Sequence, residues 1–255
     1  MGKEDTKMKM NKKKVFVVAL AVSLIAILTF GTTLAWFSAE DDVTNKFMVA
    51  TSDDNEDSVF SIDVLEQVDT DGDGQYDATF DAVPDEGGAT YKEILPGDEL
   101  GKKPWVRNTG SYDEYVRVKL TLNNAAAWKA LFAKYSISVE DLLVGYNDAE
   151  WNKNEAETSE DTTKDTITYV YYLDRILEPK KDGGRDAYLF TDFKIPSQFT
   201  QKDMTTFTYN QIDATTGNYV FELNVLAEAV QTANVCTVTG NVANDAIAAF
   251  DTVMD

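Results

Sequence analysis

The chain has 255 residues, 44% apolar and 26% charged, a composition that packs into one or two globular domains and not into a disordered or fibrous chain. Its 23 Lys and Arg stand against 44 Asp and Glu, and a net charge of −21 repels the phosphates of nucleic acid and of anionic lipid, which argues against both as partners. With no histidine and the single cysteine Cys236, a Ser-His-Asp triad, a Cys-His dyad, an HExxH or multi-cysteine zinc site and an intrachain disulfide are all excluded.

The amino terminus carries Lys3, Lys7, Lys9, Lys12, Lys13 and Lys14, then an uncharged, mostly apolar run over 15–30, then Gly31-Thr32-Thr33-Leu34-Ala35. A basic segment, an apolar core and a small-residue end make 1–35 a signal peptide cut between Ala35 and Trp36. An uncleaved anchor is the alternative, although a spanning helix needs about 20 residues. Cleavage removes six Lys with Glu4 and Asp5, taking the charge from −21 to −25. An exported, acidic, cysteine-poor chain suits a Gram-positive surface, where folding does not rely on disulfides. No sorting signal or apolar tail is read near Asp255, so the mature chain is expected to be free of the membrane.

Residues 36–255 read as one all-β domain. Strand signals occur at 59–68, 105–108, 116–122, 167–173, 187–195, 205–209 and 221–229. Pro96-Gly97-Asp98, Asn108-Thr109-Gly110-Ser111 and Thr215-Thr216-Gly217-Asn218 punctuate them as turns. Many short strands with irregular spacing favour a β-sandwich over a βαβ fold. Short helical insertions are predicted around Ala125 to Phe132, over 138–143 behind a Ser138 cap, and over 243–253. The acidic stretches 52–58 and 147–166 read as solvated surface loops. Trp105, Trp128, Trp151, Tyr169, Tyr171 and Tyr172 fit core positions better than a carbohydrate platform, and Cys236 reads as a small apolar residue. With so many acids, carboxylate pairs are inevitable and identify no glycosidase; no phosphate-binding glycine loop or catalytic constellation is visible.

Gly31-Thr32-Thr33-Leu34-Ala35-Trp36-Phe37-Ser38-Ala39 followed by Asn45-Lys46-Phe47 resembles the signal and early mature segment of the TasA/camelysin family, Gram-positive matrix proteins processed by the signal peptidase SipW. Leu95-Pro96-Gly97-Asp98, Val106-Arg107-Asn108-Thr109-Gly110-Ser111 and Tyr115-Val116-Arg117-Val118 are similar to the family's central block. Tyr169 to Leu173, Leu189-Phe190-Thr191 with Ile195-Pro196, and Ala227-Glu228-Ala229-Val230-Gln231 resemble the second half of clostridial relatives. The resemblance implies a jelly-roll sandwich, secreted and assembled into extracellular biofilm fibres, with a SipW-type peptidase and accessory matrix proteins as partners. A camelysin-like metallo-endopeptidase is the alternative it also implies; without histidine, zinc chemistry disfavours it and no enzyme is expected. A carbohydrate-binding surface adhesin is a further alternative, because fold alone does not separate these.

Cleavage creates a new terminus whose apolar residues Trp36, Phe37, Val43 and Phe47 precede any clear strand. The segment 36–49 is therefore expected to polymerise the chain by adding a strand to a neighbour's open sheet edge, a heterologous contact that propagates. The other possibility is that it folds back as the first strand of its own sheet.

The sharpest local motif is Asp69-Thr70-Asp71-Gly72-Asp73-Gly74-Gln75-Tyr76-Asp77. Carboxylates of Asp69, Asp71, Asp73 and Asp77, the Gln75 carbonyl and a turn glycine, Gly74, supply oxygen ligands for calcium. Phe80 occupies the place of the bidentate Glu of an EF-hand, so Asp81, Glu66 or water must complete the shell; an acidic hairpin turn is the alternative. Calorimetry of the mature chain is expected to show calcium binding with a Kd of about 10⁻³ M or tighter. Asp71→Ala with Asp73→Ala should remove it, and a melting temperature indifferent to calcium and chelator would contradict it.

Overall fold

The computed structural model describes residues 38–42, 45–46, 60–68, 78–81, 91, 94–179, 186–207 and 222–253; for 38–42, 45–46, 68 and 78–81 the backbone alone is described. Twelve strands lie among these residues, arranged in two antiparallel sheets, and the chain is all-β with few helices. The first sheet has the order β2-β1-β12-β6-β9-β8, formed by Asn45–Lys46, Ser38–Asp42, Leu223–Gln231, Glu114–Asn123, Thr166–Leu173 and Trp151–Asp161. The second has the order β4-β3-β5-β11-β7, formed by Ala78–Asp81, Ile62–Val68, Glu99–Asn108, Asp192–Lys194 and Leu143–Val144, with β10 (Asp186–Tyr188) also on β5.

Alternation along β6 sets the core. Val116, Val118, Leu120 and Leu122 point inward and are buried with Val225, Ala227 and Ala229 of β12, while Val64 of β3 and Val106 of β5 meet them from the second sheet. Both sheets thus share one hydrophobic cluster, the arrangement that a strand with one apolar face requires. Helix α1 (Ala125–Tyr135) drives Trp128 into that cluster, where its ring lies 4.6 Å from Phe207 and 6.2 Å, edge-on, from Phe193. Short helix α2 (Gln201–Met204) is capped by Thr200 and tied to α1 through Asp203, which accepts from Lys134 at 2.7 Å and Tyr135 at 2.6 Å. Helix α3 (Val242–Val253) lies on the other face of the first sheet, packing Ala246, Ala249 and Phe250 on Tyr115, Val170, Tyr172 and Val230. None of these helices is long and apolar enough to cross a membrane.

Several sequence expectations change. The stretch 147–166 is not a loop: Trp151–Asp161 is an eleven-residue edge strand paired with β9. Among the described residues it has one strand neighbour, and it stays largely exposed, so it needs no apolar alternation and its composition imitates a loop. The helix expected over 138–143 shrinks to a 3₁₀ turn, Val139–Leu142, because Leu143 is already extended and enters β7. Gly145 follows with φ +64°, and a Cβ there would meet the Thr191 side chain at 2.5 Å. The strand expected over 187–195 divides into β10 and β11, and Thr205 and Thr206 continue the α2 turn instead of starting a strand. β5 begins six residues before Trp105. Pro104, which lacks an N–H, falls where β5 exchanges its β11 partner at Glu99–Gly101 for its β10 partner at Trp105–Arg107. The six aromatic residues considered for a platform are core or half-buried, as expected of strand aromatics. The stretch 52–58 lies outside the described residues.

One buried group stands out at the turn joining β5 to β6. Asn108 closes this turn, donating to the Tyr112 carbonyl at 2.7 Å and the Leu177 carbonyl at 3.0 Å while accepting from Gly110. Beside it Glu114 is wholly buried, and neither carboxyl oxygen has a well-formed hydrogen bond. Burial raises its pKa well above the ordinary 4.5, Asp113 adds to the rise and the Ser61 backbone opposes it in part. A folded-state pKa above the unfolded one favours folding at low pH and withdraws that contribution as pH climbs from about 4.5 through the folded value. Glu114→Gln cannot ionise. Its unfolding free energy relative to wild type is expected to rise with pH across urea titrations at pH 4, 6 and 8, whereas a pH-independent difference would show that Glu114 titrates normally.

Candidate functional site

β12 is the strand on which the assembly question turns. One edge pairs with β6 over nine residues, from Leu223 opposite Leu122 to Gln231 opposite Glu114; the other pairs with β1 over five, from Ser38 opposite Val230 to Asp42 opposite Leu226. The segment Ser38–Asp42 therefore occupies a place in its own sheet, the fold-back arrangement that the sequence left open beside strand addition. Of the residues expected to drive polymerisation, Trp36, Phe37, Val43 and Phe47 lie outside the described residues, as does the Ala35–Trp36 cleavage site.

The β1 sequence, Ser-Ala-Glu-Asp-Asp, contains no β-branched or aromatic residue and includes Asp, which strands disfavour. Its register also sets Glu40 opposite Glu228, and like charges in directly opposed positions weaken a pair. On its outer side, among the described residues, β1 pairs with the two-residue β2. Local chemistry thus makes β1 the weak member of a sheet whose other strands are well matched.

Glu228 is 3% exposed, and the next strand supplies its counter-charges. Arg117, its direct partner on β6, binds one carboxylate oxygen through Nε, and Lys119 reaches the other at 2.6 Å. Arg117 then extends the row: Tyr172 stands opposite it on β9 and accepts at 3.2 Å, and Glu157 accepts at 3.3 Å. Glu157 gets there because β8 bulges between Asn154 and Ser159, and its other oxygen accepts from Tyr172 at 2.8 Å. The Phe250 ring of α3 covers the guanidinium, 4.3 Å from its centroid. Burial lowers the Arg117 pKa, but Glu228 and Tyr172 outweigh it, so the guanidinium is held above its ordinary value. Burial also raises Tyr172, so its phenol stays protonated.

A second polar cluster sits nearer the second sheet. Lys153 pairs with Glu140 at 2.5 Å and Glu155 at 2.9 Å, and nearby Tyr146 meets Tyr171 edge-on with ring centroids 5.7 Å apart. Burial first, with Glu140 adding, pushes Tyr146 up to about 12, and Tyr169 rises to about 12 for the same reasons. Phenols so placed are poor acids and poor nucleophiles at neutral pH. Burial, with Asp245 adding, also raises the half-buried Cys236 thiol, which donates to the Asp245 carbonyl at 3.3 Å.

For calcium, the strands that flank the acidic motif pair with Val68 opposite Ala78, while Asp69, Asp71, Asp73, Gln75 and Asp77 lie outside the described residues. Glu66, considered as a completing ligand, is buried and bound to Lys102, which removes it from that role. Among the described residues no group of three or more acidic or cysteine side chains is placed to hold a metal.

No protein-family model, curated protein or solved structure matches this chain.

The Glu228 row predicts a specific energetic pattern. Arg117→Ala leaves a buried carboxylate with one half-exposed lysine, and is expected to cost about 2–4 kcal/mol in denaturant unfolding, more than Lys119→Ala. Combining it with Glu228→Gln should recover part of that loss; equal, additive costs would mean that the row carries no coupling.

Proposed function

We propose that this is a secreted structural protein, not an enzyme, whose mature chain assembles into extracellular matrix fibres by passing β1 from one copy to the β12 edge of the next. The observation that carries this reading is the contrast across β12. Nine residues of well-matched pairing hold it to β6, and five residues of weak, acidic pairing hold it to β1, the strand next to the expected new terminus. A strand held loosely at a position open to an identical strand can exchange between copies, and head-to-tail exchange propagates without closing. The resemblance to TasA/camelysin proteins supports the same reading, together with a jelly-roll connection of the two sheets, a SipW-type peptidase acting at Ala35–Trp36, accessory matrix proteins as partners, and calcium on Asp69, Asp71, Asp73, Gln75 and Asp77.

Strand exchange makes a distinct cross-linking prediction. In a Cys236→Ser background, one batch carries Ser38→Cys and another Val230→Cys, two positions in register across β1 and β12. Fibres grown from the mixture and oxidised should yield disulfide dimers holding one chain of each kind, while a monomer carrying both changes closes internally. Fibres without mixed dimers, from chains whose doubly substituted monomer does close, would show that β1 stays in its own sheet.

A further inference from the structure

On the outer face of the first sheet, between β8 and the start of α3, lies an open groove of about 320 Å³. Elements fixed by the Glu228 row shape it. Asn152 stands on β8 opposite Tyr172 of β9, Asp174 follows the end of β9, and Asn244 sits in the first turn of α3. Tyr172 forms the back wall with its hydroxyl already committed to Glu157 and Arg117, and Ile247 adds an apolar patch.

The polar residues that line this groove fall into two sets, and in the first Asn241 accepts from the Asn244 backbone at 2.9 Å. Asn154 donates to Glu157 at 2.6 Å, and Lys153 is held by Glu140 and Glu155. By contrast, the side-chain amides of Asn152 and Asn244 and the carboxylate of Asp174 bond to no described residue, although all three line the same concavity. A primary amide offers a donor and an acceptor side by side, which matches adjacent hydroxyls on a sugar ring, and a carboxylate accepts from a hydroxyl. The apolar patch suits the C–H face of such a ring. Asp174, within a chain of net charge −21, disfavours sugar acids and phosphorylated ligands. The volume falls at the lower end of small-molecule sites, about 300–1,000 Å³, and accommodates about one or two sugar rings.

We propose that this groove is a binding site for a neutral, hydroxyl-rich saccharide, with Asn152, Asn244 and Asp174 as its polar contacts. It requires neither polymerisation nor calcium. The test is side-chain amide NMR of the mature chain titrated with cellotriose, triacetylchitotriose and trigalacturonate. At least one neutral trisaccharide is expected to shift the Asn152 and Asn244 amide signals saturably, with trigalacturonate at least about tenfold weaker. Asn152→Ala and Asn244→Ala each remove one neutral hydrogen-bonding group and should weaken binding about fivefold. Both residues are exposed, so thermal unfolding should not change. Asp174→Asn should narrow the preference over trigalacturonate. The proposal is overturned if neither neutral trisaccharide saturates, if trigalacturonate binds equally well, or if binding survives in the double Asn variant.

Discussion

A carboxylate buried on a sheet face loses its hydration, which costs several kcal/mol unless cations and donors replace the water. Glu228 imposes that condition on half of this protein. Its oxygens take Arg117 and Lys119 from β6, and Arg117, drawn out of solvent in turn, takes Tyr172 from β9, Glu157 from the β8 bulge and the Phe250 ring from α3. The register of four strands, the position of a bulge and the docking of the last helix are therefore mutually dependent. Slipping β12 by one residue would turn Glu228 into the shared core and the alanines out of it, an arrangement the same residues could not satisfy.

β1 stands outside this dependency. It lies next to β12, its register sets Glu40 opposite Glu228, and the row's ion pairs are made without it. The opposite edge is managed differently. β8 is long, yet its Lys and Glu residues and its bulge make it a poor template for another strand. One edge of the sheet is guarded by charge and irregularity, and the other is covered by a short strand of low intrinsic preference. That asymmetry is what a head-to-tail contact needs, since strand addition at both edges would branch or aggregate instead of extending in one direction.

The parts of the fold legible in the sequence were those whose core-facing positions alternate with polar ones. The apolar alternation of β6 and β12 marks the face that meets the core, although α3 also covers their ends at Tyr115 and Val230, and the helix 243–253 shows its apolar stripe because only one of its sides packs on the sheet. β8 escaped notice because Trp151 is its one buried residue, and pairing with apolar β9 supplies what its own composition does not. β1 escaped because Ser-Ala-Glu-Asp-Asp has no strand pattern at all; its pairing is imposed by the vacant side of β12. The 3₁₀ turn at Val139–Leu142 reads as a longer helix in sequence because a Ser138 cap with Asp141 marks where a turn begins but says nothing of where it ends. The groove beside α3 left no local signal, since Asn152, Asp174 and Asn244 come together only when the first sheet and the last helix are both in place. Glu114 was likewise one acid among 44 until folding buried it.

Charge enters at two ranges with different consequences for self-association. The net −21 acts between whole molecules, over distances that ordinary salt screens, because the Debye length at physiological ionic strength is about 8 Å. Opposed positions in a strand pair are only about 4.5–5.5 Å apart, well inside that length, so salt barely relieves the Glu40–Glu228 juxtaposition. The same juxtaposition recurs whether β1 comes from its own chain or from another, since the register on β12 is the same. In the proposed exchange, ionic strength would therefore govern how often two copies meet, while the opposed positions 40 and 228 would govern how easily β1 leaves either sheet. In the proposed exchange, a weak strand of this kind would lower the barrier without favouring one partner over the other, so concentration would set the direction of assembly.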